Sequence, residues 1–114
     1  MMDPVVKQNV EEIVHLLVRG EYEALSASTG NDRLDAAQLR KAVEDYGRTL
    51  VPLTADWADE AVVIPVDDPD RTMLAITVDL RTVEEGLSDL SLELTLTRVA
   101  PDQWKVGIDN LHVL

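Results

Sequence analysis

Few side chains in this sequence have the chemistry for acid–base work. The candidates are Asp79 and Asp109, in strand-like segments, and His112, which alternates out of phase with Leu111 and Val113. A carboxylate or imidazole becomes a general acid or base when a dry pocket moves its pKa toward the working pH. Alternation instead puts all three on the wet side of a half-buried strand, which predicts outward, solvated positions. Ser88, in Gly86-Leu-Ser-Asp-Leu90, lacks the second glycine of a nucleophile elbow and has no histidine placed to take its proton. Asp67, Asp68 and Asp70 are oxygen ligands, but a calcium loop needs more of them at longer regular spacing, and turn chemistry around Pro69 accounts for them. No metal site is expected, and no cofactor. The glycines at 20, 30, 47, 86 and 107 are too dispersed to cradle a phosphate, and the absence of cysteine excludes thiol catalysis, disulfides and zinc–thiolate sites.

Charge points to a different kind of function. The chain carries 22 acidic and 10 basic side chains, a net charge of −12. Residues 50–95 hold eleven of the acids, opposed only by Arg71 and Arg81, so three quarters of the excess lies mid-chain. Such a field repels nucleic-acid phosphates and anionic lipid and steers a basic partner inward. The expected interaction surface comprises Asp67, Asp68, Asp70, Glu84, Glu85 and Asp89. Neither nucleic acid nor a membrane is expected as a partner. No run approaches the roughly 18 apolar residues of a membrane span. Met1-Met-Asp-Pro-Val lacks the basic start and apolar stretch of a signal peptide, so a cytoplasmic location is expected.

The elements that must position these residues read as follows. A chain of 114 residues makes one domain, 1–114, with a single core. That core is aliphatic, because Phe is absent and aromatics are 4%. Asp3-Pro4 caps a helix whose stripe is Val6, Val10, Ile13, Val14 and Leu17, with His15 on its flank, and Arg19-Gly20 ends it. A short helical segment through Tyr22 and Leu25 ends in Ser28-Thr-Gly-Asn31. Asp35 and Gln38 form a capping box, flanked by the staple pair Leu34 and Leu39, and open a helix that Gly47 closes. Residues 48–60 read as a long connection broken by Pro52, with Trp57 folding it back onto the domain. Ala61–Val66, containing Pro65, suits an edge strand. Leu74, Ile76, Val78 and Leu80 mark the next strand, and a long hairpin over Leu87–Leu114 completes the sheet. Leu90, Leu92, Leu94 and Leu96 line its dry face, joined after the Pro101-Asp102 turn by Trp104, Val106 and Ile108. The phase slip at Asp109-Asn110 predicts a β-bulge. The expected architecture is a two-layer α+β domain with N-terminal helices packed on a curved, four-stranded antiparallel sheet. Its other face shows Thr77, Asp79, Arg81, Ser91, Glu93, Thr95, Thr97, Lys105 and Asp109.

This order of elements resembles the cystatin-like cone of the nuclear-transport-factor-like superfamily. The segments Glu44-Asp-Tyr-Gly-Arg-Thr-Leu-Val-Pro52, Glu84-Glu-Gly-Leu-Ser-Asp-Leu90 and Ile108-Asp-Asn-Leu-His-Val-Leu114 resemble a family of short bacterial proteins known only as a domain of unknown function. That likeness transfers no catalytic residue. The cone superfamily includes isomerases, dehydratases, ligand binders, association domains and immunity proteins of toxin systems, so the fold alone leaves activity open. Its isomerase-like members imply a buried carboxylate with tyrosine donors, residue types present here as Asp79, Asp109, Tyr22 and Tyr46, while dehydratase-like members imply His and Asp.

Together these features predict a non-enzymatic interaction module, immunity-type or accessory, that binds a basic protein. The alternative is a small-molecule binder or acid/base enzyme with its pocket between the helices and the sheet. A third reading is a homodimer that pairs two polar sheet faces.

Overall fold

The computed structural model describes residues 2–29 and 34–113. Helix α1, Pro4–Val18, starts where Asp3 Oδ1 accepts from the Val5 amide at 2.8 Å, and its five-residue apolar stripe is buried throughout. Gly20, at φ +69°, turns the chain out of the helix in a conformation that glycine adopts without strain. Helix α2, Tyr22–Ser28, buries Leu25 and Ser26. Of the residues expected to end it, Gly30 and Asn31 lie outside the described residues. Helix α3, Ala36–Tyr46, has the capping box in full: Gln38 N donates to Asp35 Oδ1 at 2.8 Å and Asp35 N to Gln38 Oε1 at 2.9 Å. Gly47, at φ +70°, closes it.

The sheet has five strands where four were expected. The extra one, β1 (Leu50–Val51), pairs with Arg81 and Thr82 of β3 (Met73–Thr82). Two residues ahead of a proline are too short to display a period, which is why the sequence reads there as a connection. The same stretch holds a one-turn helix, α4 (Trp57–Glu60). Trp57 is buried, and its indole N–H donates to Glu11 of α1 at 2.9 Å, so the connection does fold back through this ring. Strand β2 (Val62–Val66) pairs with the other end of β3, and the path continues through β4 (Gly86–Ala100) to β5 (Gln103–Val113), all antiparallel.

Three irregularities tune the register, one of them beside the hairpin turn, where Arg98 faces Trp104 but Ala100 faces Gln103. On β5, Glu93 faces Asn110 while Leu94 faces Ile108, so Asp109 is the extra residue that the phase slip announced. On β4, Asp79 faces Ser91 but Arg81 faces Leu87. Ser88 fills that gap, its hydroxyl donating to Leu80 O at 2.7 Å and accepting from Leu90 N at 3.1 Å. The bulges keep Leu90, Leu92, Leu94, Leu96, Ile108 and Leu111 on the face that meets α1, Leu25 and Leu39. Leu92 is wholly buried on the strand between β3 and β5. Leu92→Ala is expected to cost about 2–5 kcal/mol in urea unfolding, lost transfer energy plus a cavity. Val99→Ala, at an exposed site, is expected to change stability by at most about 0.5 kcal/mol.

Candidate functional site

The three acid–base candidates alternate with the buried apolar residues of the sheet, and each is already engaged. Ser91 Oγ donates to Asp79, Thr95 Oγ1 donates to Asp109, and His112 Nε2 meets Glu93 Oε2, all at 2.5 Å. Asp79, Ser91 and His112 occupy one row across β3, β4 and β5. That row has the residue types of a serine triad with the wrong wiring. A nucleophilic serine donates to histidine, which in turn donates to the acid. Here the serine donates directly to the acid, and the imidazole turns to the next row. Alternation marked Ser91 as a wet-face residue, yet it is buried at 1% exposure between its cross-strand neighbours. The acids of the outer face are therefore held in neighbouring pairs rather than left as free charges. Among the described residues, no three His, Asp or Glu side chains are placed to hold a metal ion.

The six expected interaction residues fall into two sites. Asp67, Asp68 and Asp70 occupy the β2–β3 turn, while Glu84, Glu85 and Asp89 lie at and just beyond the β3–β4 turn, at the other end of β3. Ten strand residues separate the turns by about 30 Å. In the first site Asp68 shapes its own turn, accepting from Asp70 N at 2.8 Å and Arg71 N at 3.1 Å, with the Arg71 guanidinium 3.6 Å away. Asp67 and Asp70 are exposed. At the opposite end of β2, Glu60 holds Arg81 at 2.7 Å, and Asp59 is exposed.

The second site is a latch. Tyr46 Oη donates to the Glu85 carboxylate at 2.7 Å and accepts from Asp89 N at 3.1 Å. Glu84 accepts from the Thr49 amide at 2.8 Å and the Thr49 hydroxyl at 3.0 Å, and Val83 N returns a bond to Thr49 O at 2.9 Å. The end of α3 and the start of β1 are thereby tied to the β3–β4 turn. These are the residues of two of the three segments that carry the family resemblance. The third approaches them, because Leu111, His112 and Val113 line a surface groove with Ala42, Asp45 and Tyr46. Glu84 and Glu85 thus serve the fold, a role that single-sequence reading could not assign because their partners lie 35 and 39 positions away.

A third feature went unread in the sequence. A groove of about 690 Å3 near the hairpin turn is lined by Arg71, Thr97, Arg98, Lys105 and Asp109, among others, gathering three bases of an acidic protein in one place. Arg98 donates to Pro101 O at 2.7 Å, which holds that hairpin turn.

The latch has a pH signature. The Thr49 amide, ahead of other hydrogen bonds, holds the Glu84 carboxyl below its ordinary value. Its stabilisation is therefore present above the unfolded Glu value of about 4.3 and is lost as pH falls through the lower folded value. Burial, followed by the bond to Glu85, pushes the Tyr46 phenol above its ordinary value. That stabilisation is present below the unfolded Tyr value of about 10 and is lost as pH climbs through the folded value. Urea unfolding across pH is expected to show wild type more stable than Glu84→Gln at neutrality, with the gap closing in acid. Against Tyr46→Phe, the gap is expected to close only in alkali.

Comparison with known proteins completes this picture. No curated protein matches the sequence, and no solved structure matches the chain. Its likeness to the cone superfamily accordingly rests on the order of helices and strands alone. A family model described as Domain of unknown function (DUF7668) matches residues 14–114, a span that takes in α2 to β5, all three quoted segments and both turns. The chain belongs to this family, a domain of unknown function.

Proposed function

We propose that the domain is a non-enzymatic protein-interaction module, of the immunity or accessory type, that meets a basic protein partner in the cytoplasm through its acidic surface around residues 56–70. One observation carries this reading. Asp59, Asp67 and Asp70 are exposed and make no ion pair with any described residue, whereas Glu84, Glu85, Asp68 and the outer-face acids are all engaged within the fold. Unpaired carboxylates at both ends of β2 accelerate and orient capture of a cationic surface, and the effect weakens as salt screens it.

A second reading, a small-molecule site, draws support from the groove at Arg71, Arg98 and Lys105. It fits an anion. Inorganic phosphate is the simplest probe. A melting-temperature rise that Lys105→Gln removes supports this reading, and the absence of any rise ends it.

The main reading is tested by low-salt affinity capture with the wild type and the variant Asp59→Asn/Asp67→Asn/Asp70→Asn, partners being identified by mass. The wild type is expected to retain a basic protein that the variant captures more slowly and with blunted salt dependence. Glu84→Gln is expected to capture it normally. Equal capture by wild type and triple variant would overturn the reading.

A further inference from the structure

We propose that strand β2 is a docking edge for an extended segment of a protein partner, apolar in its middle and carrying lysine or arginine at both ends. This deepens the interaction reading above and rests on it.

Every residue of β2, Val62-Val-Ile-Pro-Val66, is exposed, with Val62 at 54% and Ile64 at 56%. Burial of such side chains is worth about 25 cal/mol per Å2, so a covered strand gains where a bare one does not. Among the described residues the strand pairs with β3 on one side only, which leaves its other row of backbone groups as a template for a further strand. In the observed register Val62, Ile64 and Val66 stand opposite Thr77, Ala75 and Met73 on the outer face, so the apolar surface continues one strand inward.

Charge decides the occupant. Asp59 precedes the strand and Asp67 and Asp70 follow it, each without an ion pair among the described residues, while their neighbours Glu60 and Asp68 are matched by Arg81 and Arg71. A second copy paired antiparallel would set the Asp59-Glu60 end of one chain against the Asp67–Asp70 end of the other. Paired in parallel, it would set each acidic end on its own counterpart. Either arrangement places like charges opposite each other, which destabilises strand pairing. An extended segment with cations at both ends meets the unpaired carboxylates of Asp59, Asp67 and Asp70 instead. Pro65 withholds one backbone donor, so it shortens any ladder built on this edge and shifts recognition toward side chains and terminal charges.

The test is fluorescence anisotropy with a labelled synthetic peptide of alternating valine and threonine flanked by two lysines at each end. A peptide with the same core and two glutamates at each end is the control. Wild type is expected to bind the lysine-flanked peptide, less tightly as salt rises, and to ignore the control. Ile64→Lys, Val62→Thr/Ile64→Thr and Asp59→Asn/Asp67→Asn/Asp70→Asn are each expected to weaken binding by about tenfold, the equivalent of 1.4 kcal/mol. The threonine pair keeps strand propensity, so its loss of binding reports the edge rather than unfolding. Amide shifts on binding are expected along β2 and β3.

Binding lost in the asparagine variant but kept by both β2 variants would overturn the docking edge while leaving the acidic-surface reading standing. No binding of the lysine-flanked peptide to wild type would overturn the edge alone if the asparagine variant still fails to capture a basic protein, and both readings if it does not. Concentration-dependent dimerisation abolished by Ile64→Lys would assign the edge to a second copy and overturn the proposal.

Discussion

Four leucines on β4 decide which way the whole sheet faces. Leu90, Leu92, Leu94 and Leu96 are all buried against the helices, and because side chains alternate strictly, a slip of one residue would turn the entire row into water. Register in β3 and β5 follows from this row. The bulge at Asp109 and the Ser88-filled gap are the adjustments that let the two neighbours keep their own apolar residues on the same side despite unequal spacing. The helices settle onto the resulting aliphatic surface through narrow stripes, and Trp57 seals its margin with one indole bond to Glu11.

A face pinned inward also pins its opposite outward. Asp79, Glu93, Asp109 and His112 stand on the outer layer because the leucines between them do not, and cross-strand spacing then brings each against a hydroxyl or an oppositely polar partner. Acids paired in this way are poor handles for a ligand, since a newcomer must displace an existing bond to gain its own. Asp59, Asp67 and Asp70, at the two ends of β2, carry no ion pair among the described residues, and there the sheet runs out. Exposed valines and unpaired acids coincide there for one reason, the position at the edge.

The latch shows how charge density can mislead. Glu84 and Glu85 sit in the most acidic part of the chain, yet their oxygens hold the end of α3 and the start of β1 to the β3–β4 turn. Net charge describes the field at a distance, whereas the role of each carboxylate depends on the donors within about 3 Å of it.

Local pattern alone determined a good deal of this protein. The caps at Asp3 and Asp35, the glycine stops at 20 and 47, the alternating strands, the edge character of the Pro65 segment and the bulge at Asp109 all arise from residues within a few positions of each other. The physics of such features is short-range, which makes them legible from a single chain. The two-residue β1 and the single turn of α4 were not legible, because neither is long enough to show a period. Pairings such as Tyr46 with Glu85, Thr49 with Glu84, Trp57 with Glu11 and Ser91 with Asp79 were decided only by tertiary structure. Each joins residues 12 to 46 positions apart, and no rule of spacing along the chain encodes which distant donor a carboxylate will meet. For the same reason composition revealed an acidic protein, but only folding divided its acids into those that hold the structure together and those left free to meet a partner.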